Sequence, residues 1–197
     1  MGMDRKISLL VEARETFEKD KLFEDIGATF FDVDNDGDQD LYVVSGSYEF
    51  YNDLKPLQDR LYLNDGKGNF TNSNSLPEML SAGSIVIAND YDKDGDMDLF
   101  VGGRVVPGRY PYPAVSYLLI NNNGNFSIET KELAPELENI GMVTDAKWAD
   151  IDGDGKTDLV VTGEWMGIEV FLNRDNTLER STEYETFASS KGWWNRL

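Results

Sequence analysis

The chain has no cysteine and no histidine among its 197 residues. Without cysteine it can form no disulfide, no thiolate nucleophile and no iron–sulfur cluster. Without histidine it can build no Ser-His-Asp triad, no imidazole general base and no histidine-ligated zinc or iron site. Long apolar runs are missing too. No segment approaches the roughly 20 residues of a membrane-spanning helix, and residues 7–11 are too few for the core of a signal peptide. If the protein is exported, its signal is expected outside this chain.

Positive charge is scarce, with 18 Lys+Arg against 37 Asp+Glu and a formal charge of −19. That balance argues against charge-driven binding to nucleic acid or to an anionic membrane, and no membrane insertion is expected. It fits a polyanion that needs cations. A core is affordable: 40% of residues are apolar, and 10 Phe, 9 Tyr and 4 Trp are spread along a length suited to one or two domains.

The acid is concentrated. Three nine-residue windows hold 14 of the 37 acidic residues. The first carries Asp32, Asp34, Asp36, Asp38 and Asp40 around Gly37; the second carries Asp90, Asp92, Asp94, Asp96 and Asp98 around Gly95. The third carries Asp150, Asp152, Asp154 and Asp158 around Gly155, with Lys156 at its seventh position. Each window has carboxylates at positions 1, 3, 5 and 9 and glycine at 6, and successive windows start 58 and 60 residues apart. A hard divalent cation such as Ca²⁺ takes six to eight oxygens, and carboxylates on alternate residues of a curled loop can all face one centre. The glycine permits the positive φ that curls the chain. Position 7 (Asp38, Asp96, Lys156) is expected to offer its backbone carbonyl, because a lysine side chain cannot be a ligand. Up to three structural calcium ions are expected, and metal-free Asp/Gly turns are the plainer reading that three loops in register argue against.

An EF-hand shares the Asp-x-Asp-x-Asp-Gly opening but needs Glu at position 12 and helices on both sides. Here position 12 is Val43, Val101 and Val161, and the flanks are short apolar runs such as Ile85-Val-Ile-Ala88 and Leu41-Tyr-Val-Val44. Such runs read as buried strands. Downstream, Leu61-Tyr-Leu-Asn64, Leu118-Leu-Ile-Asn121 and Val170-Phe-Leu-Asn173 each run into an Asn/Gly-type turn. One repeat is therefore strand, Asp loop, strand, variable connection, strand, turn and strand: a four-stranded antiparallel meander of propeller-blade size.

These loops between apolar strands resemble FG-GAP/VCBS repeats, the calcium-binding blades of integrin-α-type propellers. The stretch Leu99-Phe-Val-Gly-Gly-Arg-Val-Val-Pro and the final Gly192-Trp-Trp194-Asn resemble bacterial members found with an ASPIC/UnbV domain. The resemblance implies an all-β, seven-bladed propeller, calcium at each loop, placement outside the cell, in the periplasm or on the cell surface, and adhesion or ligand binding rather than catalysis. Blades are expected at 25–82, 83–142 and 143–188, with 189–197 opening a further blade. Residues 1–24 read as the end of a preceding blade or as a helical lead-in. Seven blades of this size need roughly 420 residues, so the chain reads as an arc of about three blades from a longer propeller. Open blade faces and edges then favour self-association.

The variable connections lie opposite the Asp loops. They carry Tyr48 and Tyr51, then Arg104, Arg109, Tyr110 and Tyr112, then Trp165. Aromatic and Arg side chains on a rigid scaffold suit a protein or glycan ligand, and they would equally serve to seal that end. Catalysis would fall to carboxylate pairs as in glycosidases, giving a carbohydrate-binding or carbohydrate-active propeller as the alternative. Glu49, Asp53, Glu164 and Glu169 are the nearest acids, and no spacing selects a pair. The expectation is a binding module and not an enzyme.

Overall fold

The computed structural model describes residues 16–197. Among them the chain forms three antiparallel sheets in sequence order. The first holds β1 (Asp25–Phe31), β2 (Asp40–Ser45), β3 (Arg60–Asn64) and β4 (Phe70–Ser73). The second holds β5 (Gly83–Asn89), β6 (Asp98–Gly103), β7 (Tyr117–Asn122) and β8 (Asn125–Ile128). The third holds β9 (Met142–Ala149), β10 (Asp158–Met166), β11 (Glu169–Arg174) and β12 (Thr177–Arg180), and the two-residue β13 (Gly192–Trp193) adds to β10. The fold is all-β, three meanders stacked as the blades of an open propeller. Of the expected lead-in at 1–24, residues 1–15 lie outside the described residues, and residues 16–18 are helical.

Register puts the Asp loops at one end of all three sheets. The hairpin pairs that close on them are Phe31 with Asp40, Asn89 with Asp98, and Ala149 with Asp158. The ninth loop residue is thus the first residue of the second strand in every blade. Two single-turn helices were not legible as elements: α1 (Thr130–Leu133) after β8 and α2 (Glu185–Ala188) after β12. Both are too short for a helical period, and α1 is anchored from outside, by buried Thr130 Oγ1 accepting the Leu118 N–H at 2.8 Å.

The core is two apolar layers, one between each pair of neighbouring sheets. Phe31, Tyr42, Leu61, Val86, Leu99 and Leu119 fill the first; Phe100, Leu118, Val143, Leu159 and Phe171 fill the second. Alternation along β6 and β7 explains the division, since Leu99 and Leu119 face one way and Phe100 and Leu118 the other. Covered on both sides, β6 is buried at all six positions. On the outer face of the first sheet, Phe17 packs edge-on against Tyr62 at 5.0 Å, Tyr62 Oη donates to Asp20 Oδ2 at 2.6 Å, and the Arg60 guanidinium stacks 4.2 Å from the Phe23 ring. That segment leaves Tyr62 fully buried and Arg60 nearly so, while Phe30 remains exposed.

Asp59, buried between β2 and β3, accepts from Tyr42 Oη at 2.7 Å and from the Ser45 N–H at 2.8 Å. Burial raises its carboxyl to about 7, against the pull of those two donors and Arg60. A pKa raised in the folded state adds stability that is complete below the unfolded value near 4 and is lost as pH rises through about 7. The expected result is a melting temperature that declines from about pH 5 to pH 8 more steeply in the wild type than in Asp59→Asn. Parallel profiles would show that Asp59 stays ionised throughout.

Candidate metal centres

Each Asp loop is curled by two left-handed residues. Position 4 is Asn35 (φ 60°), Lys93 (φ 63°) or Gly153 (φ 76°), and position 6 is Gly37, Gly95 or Gly155 at φ 92°, 99° and 82°. The curl turns successive N–H groups inward onto the loop's own carboxylates. Asp36 Oδ1 accepts the Asp38 N–H at 2.9 Å, Asp94 Oδ1 that of Asp96 at 2.9 Å, and Asp154 Oδ1 that of Lys156 at 2.8 Å.

Carboxylate oxygens of Asp32, Asp34 and Asp36 come within 4.8 Å of one another, as do those of Asp90, Asp92 and Asp94. In the third loop the group is Asp150, Asp152 and Asp158. Such clusters can hold a metal ion. The donor set is all oxygen, which suits a hard cation. A second observation fits the same reading: Asp32 Oδ1 and Asp90 Oδ1 are buried with no hydrogen-bond partner. An acceptor-only atom in that state needs a cation or ordered water to offset its lost solvation.

The ninth-position acids do something more specific than the spacing indicated. Asp40, Asp98 and Asp158 are almost fully buried. Each accepts the N–H of loop position 2 (Val33, Tyr91 or Ile151) on one oxygen. The other oxygen accepts the N–H of Asn64, Asn121 or Asn173 at the head of the β3–β4, β7–β8 or β11–β12 turn, at 2.8, 2.9 and 2.8 Å. They clamp the loop to the outer hairpin of the same blade. Burial raises the Asp98 carboxyl to about 7 against those N–H donors, and Asp40 shifts upward for the same reason.

Position 7 also uses its side chains. Buried Asp96 accepts from Asn35 Nδ2 of the preceding blade at 2.7 Å and from the Asn123 N–H at 2.7 Å. Asp38 lies against Gly66, whose left-handed φ of 69° is what favours glycine in that turn. Partial desolvation and then the charges of Asp36, Asp65, Asp32 and Asp34 push Asp38 upward. Lys156 Nζ instead pairs with Asp175 at 2.9 Å. These contacts leave the position 7 carbonyl as the group each loop has in common.

The turn asparagines carry a role the sequence marked only by their register. Asn121 Nδ2 donates to the Val33 carbonyl across 88 residues at 2.9 Å, and Asn173 Nδ2 donates to the Tyr91 carbonyl across 82 residues at 3.2 Å. Each stitches one blade to the Asp loop of the blade before it. Asn64 Nδ2 bonds instead to Gln39 of its own loop at 3.1 Å, in an exposed setting.

At the opposite end, the residues expected to meet a ligand gather on one exposed face. The Gly108 N–H donates to the Tyr48 carbonyl at 3.2 Å, and Gly108 packs on Tyr51. Trp165 Nε1 donates to Tyr110 Oη at 2.8 Å, and the Trp165 and Trp193 rings meet edge-on at 5.5 Å. Arg109 lies 5.2 Å from the Tyr112 ring, while Arg104 is tied to Glu164 at 2.5 Å. Trp165, placed by sequence in a connection, sits inside β10 at φ 62°, a left-handed bulge that turns its ring outward. A cleft of about 150 Å³ opens here between the first two blades, lined by Ser47, Tyr48, Ser84 and Arg104 among others.

A family model described as FG-GAP-like repeat matches residues 32–101 and 150–196, more than half of the chain. Both matched segments begin at position 1 of an Asp loop, Asp32 and Asp150. No curated protein matches the chain.

Removing a blade stitch is expected to orphan a buried carbonyl. Asn121→Ala should lower stability by about 1–3 kcal/mol in urea unfolding, and Asn64→Ala by clearly less. Equal losses at the two positions would contradict the inter-blade role.

Proposed function

The chain belongs to the FG-GAP-like repeat family, and from that premise we propose that it is a calcium-braced propeller module that binds a protein ligand through its aromatic face. The buried, unpartnered oxygens of Asp32 and Asp90 carry the calcium reading. Asp32, Asp34 and Asp36 would hold one ion, and Asp90, Asp92 and Asp94 another, each with the carbonyl at position 7. A bound ion supplies charge neutralisation and a crosslink between the first two strands of its blade. The protein's own part is to preorganise the site, through the curled loop and the ninth-position clamp.

The ligand reading rests on exposed aromatics from three blades joined on one face. The adjoining cleft is smaller than the 300–1,000 Å³ of pockets that enclose a small molecule, so the face suits a partner laid across it. Binding is favoured over catalysis because Glu164 and Glu169, two of the acids nearest this face, are engaged by Arg104 and Arg180. Placement outside the cell, in the periplasm or at the cell surface follows as part of the same proposal; among the described residues no helix is long and apolar enough to cross a membrane. Self-association through exposed sheet faces, where Phe30 stands out, belongs to it as well.

Calcium at about 100 times its dissociation constant should stabilise each filled site by about 2.7 kcal/mol, which for a chain of this size raises the melting temperature by roughly 5–10 °C. EDTA should reverse the rise, and Asp90→Asn should reduce it. A melting temperature indifferent to millimolar calcium would remove the metal from the proposal. For the ligand face, a glycan array is expected to give no signal. Glycan binding abolished by Tyr110→Ala would favour the carbohydrate-binding alternative over a protein ligand.

A further inference from the structure

The third Asp loop differs from the others in where its positive charge comes from. The residue after the turn asparagine is Asp65 in the first blade, Asn122 in the second and Arg174 in the third. Arg174 Nη1 lies 2.7 Å from Asp152 Oδ2 and 3.3 Å from Asp154 Oδ2, bridging positions 3 and 5 of the loop. Two lysines reinforce it. Lys93 of the second loop donates to the Gly155 carbonyl at 2.6 Å, and Lys156 pairs with Asp175 beside the turn.

The carboxylates have rearranged to match. In the first two loops positions 1, 3 and 5 converge, whereas in the third Asp154 has left that group and Asp158 takes its place. Asp150 is also satisfied internally, its two oxygens accepting the N–H groups of Gly153 at 2.8 Å and Gly155 at 3.0 Å. Its counterparts Asp32 and Asp90 each keep one buried oxygen without a partner. Resting on the calcium reading of the first two loops, we infer that the third loop is closed by the chain's own cations, with Arg174 limiting the chain to two calcium ions where the motif spacing counts three. A guanidinium stays charged at any working pH and holds its donors in a fixed fork, so it repels a divalent ion from the oxygens it bridges. The third blade then keeps its loop order whether or not calcium is present.

Native mass spectrometry and calorimetric calcium titration of the full chain test this, with wild type, Asp90→Asn, Arg174→Gln and Arg174→Lys compared. The expected counts are two ions for wild type, one for Asp90→Asn and three for Arg174→Gln. Arg174→Lys keeps the positive charge and should hold the count at two. Three ions in the wild type, or two in Arg174→Gln, would overturn the inference and leave the calcium reading of the first two loops intact. No ion in any variant would overturn that calcium reading itself. Arg174 is partly exposed, and circular dichroism of Arg174→Gln verifies that a missing third ion is not a missing fold.

Discussion

Fourteen carboxylates gathered at one end of three sheets repel one another, and the rest of the molecule is arranged around how each is neutralised. The ninth-position acids are settled by the backbone: Asp40, Asp98 and Asp158 each accept two N–H groups and thereby join the loop to the outer hairpin. At position 7 Asp96 is settled by a neighbouring blade, through Asn35. Positions 1, 3 and 5 remain. In the third blade Arg174 answers two of them, and contact with it holds the Asp152 carboxyl below the usual carboxylate range. In the second, desolvation and then the neighbouring carboxylates leave Asp92 shifted the other way.

This arrangement separates the two ends of the scaffold. At the loop end every blade is tied to itself by an aspartate, and neighbouring blades are stitched by Asn121 and Asn173. Between the ends lie the two apolar layers, with Leu99 and Phe100 on opposite faces of one strand. The far end bears none of the metal-facing acids, so its connections can differ in length without disturbing the brace. That freedom is where the exposed tyrosines and Trp165 collect.

The blade repeat and the loops were legible because their information is local. Asp32 to Asp40 lie within nine residues, and apolar strands on either side fix the pleat and the register. What escaped the sequence is relational. Asn35 meets Asp96 across 61 residues and Lys93 meets Gly155 across 62, and nothing about an asparagine or a lysine at position 4 announces a partner in the next blade. The clamp role of the ninth aspartate was hidden behind the ligand role that the same residue type suggests. Arg174 did leave a trace, as a positive residue where the other blades carry the acidic Asp65 and the neutral Asn122, but only the fold shows that its side chain reaches back to Asp152 and Asp154. The single-turn helices and the outward bulge at Trp165 depend on packing and on one backbone angle, which periodicity does not encode.

The most direct measurement is amide hydrogen exchange along the chain with calcium and with EDTA. Calcium is expected to slow exchange in residues 32–40 and 90–98 and to leave 150–158 unchanged. Exchange that is indifferent to calcium in the first two loops would contradict the calcium reading.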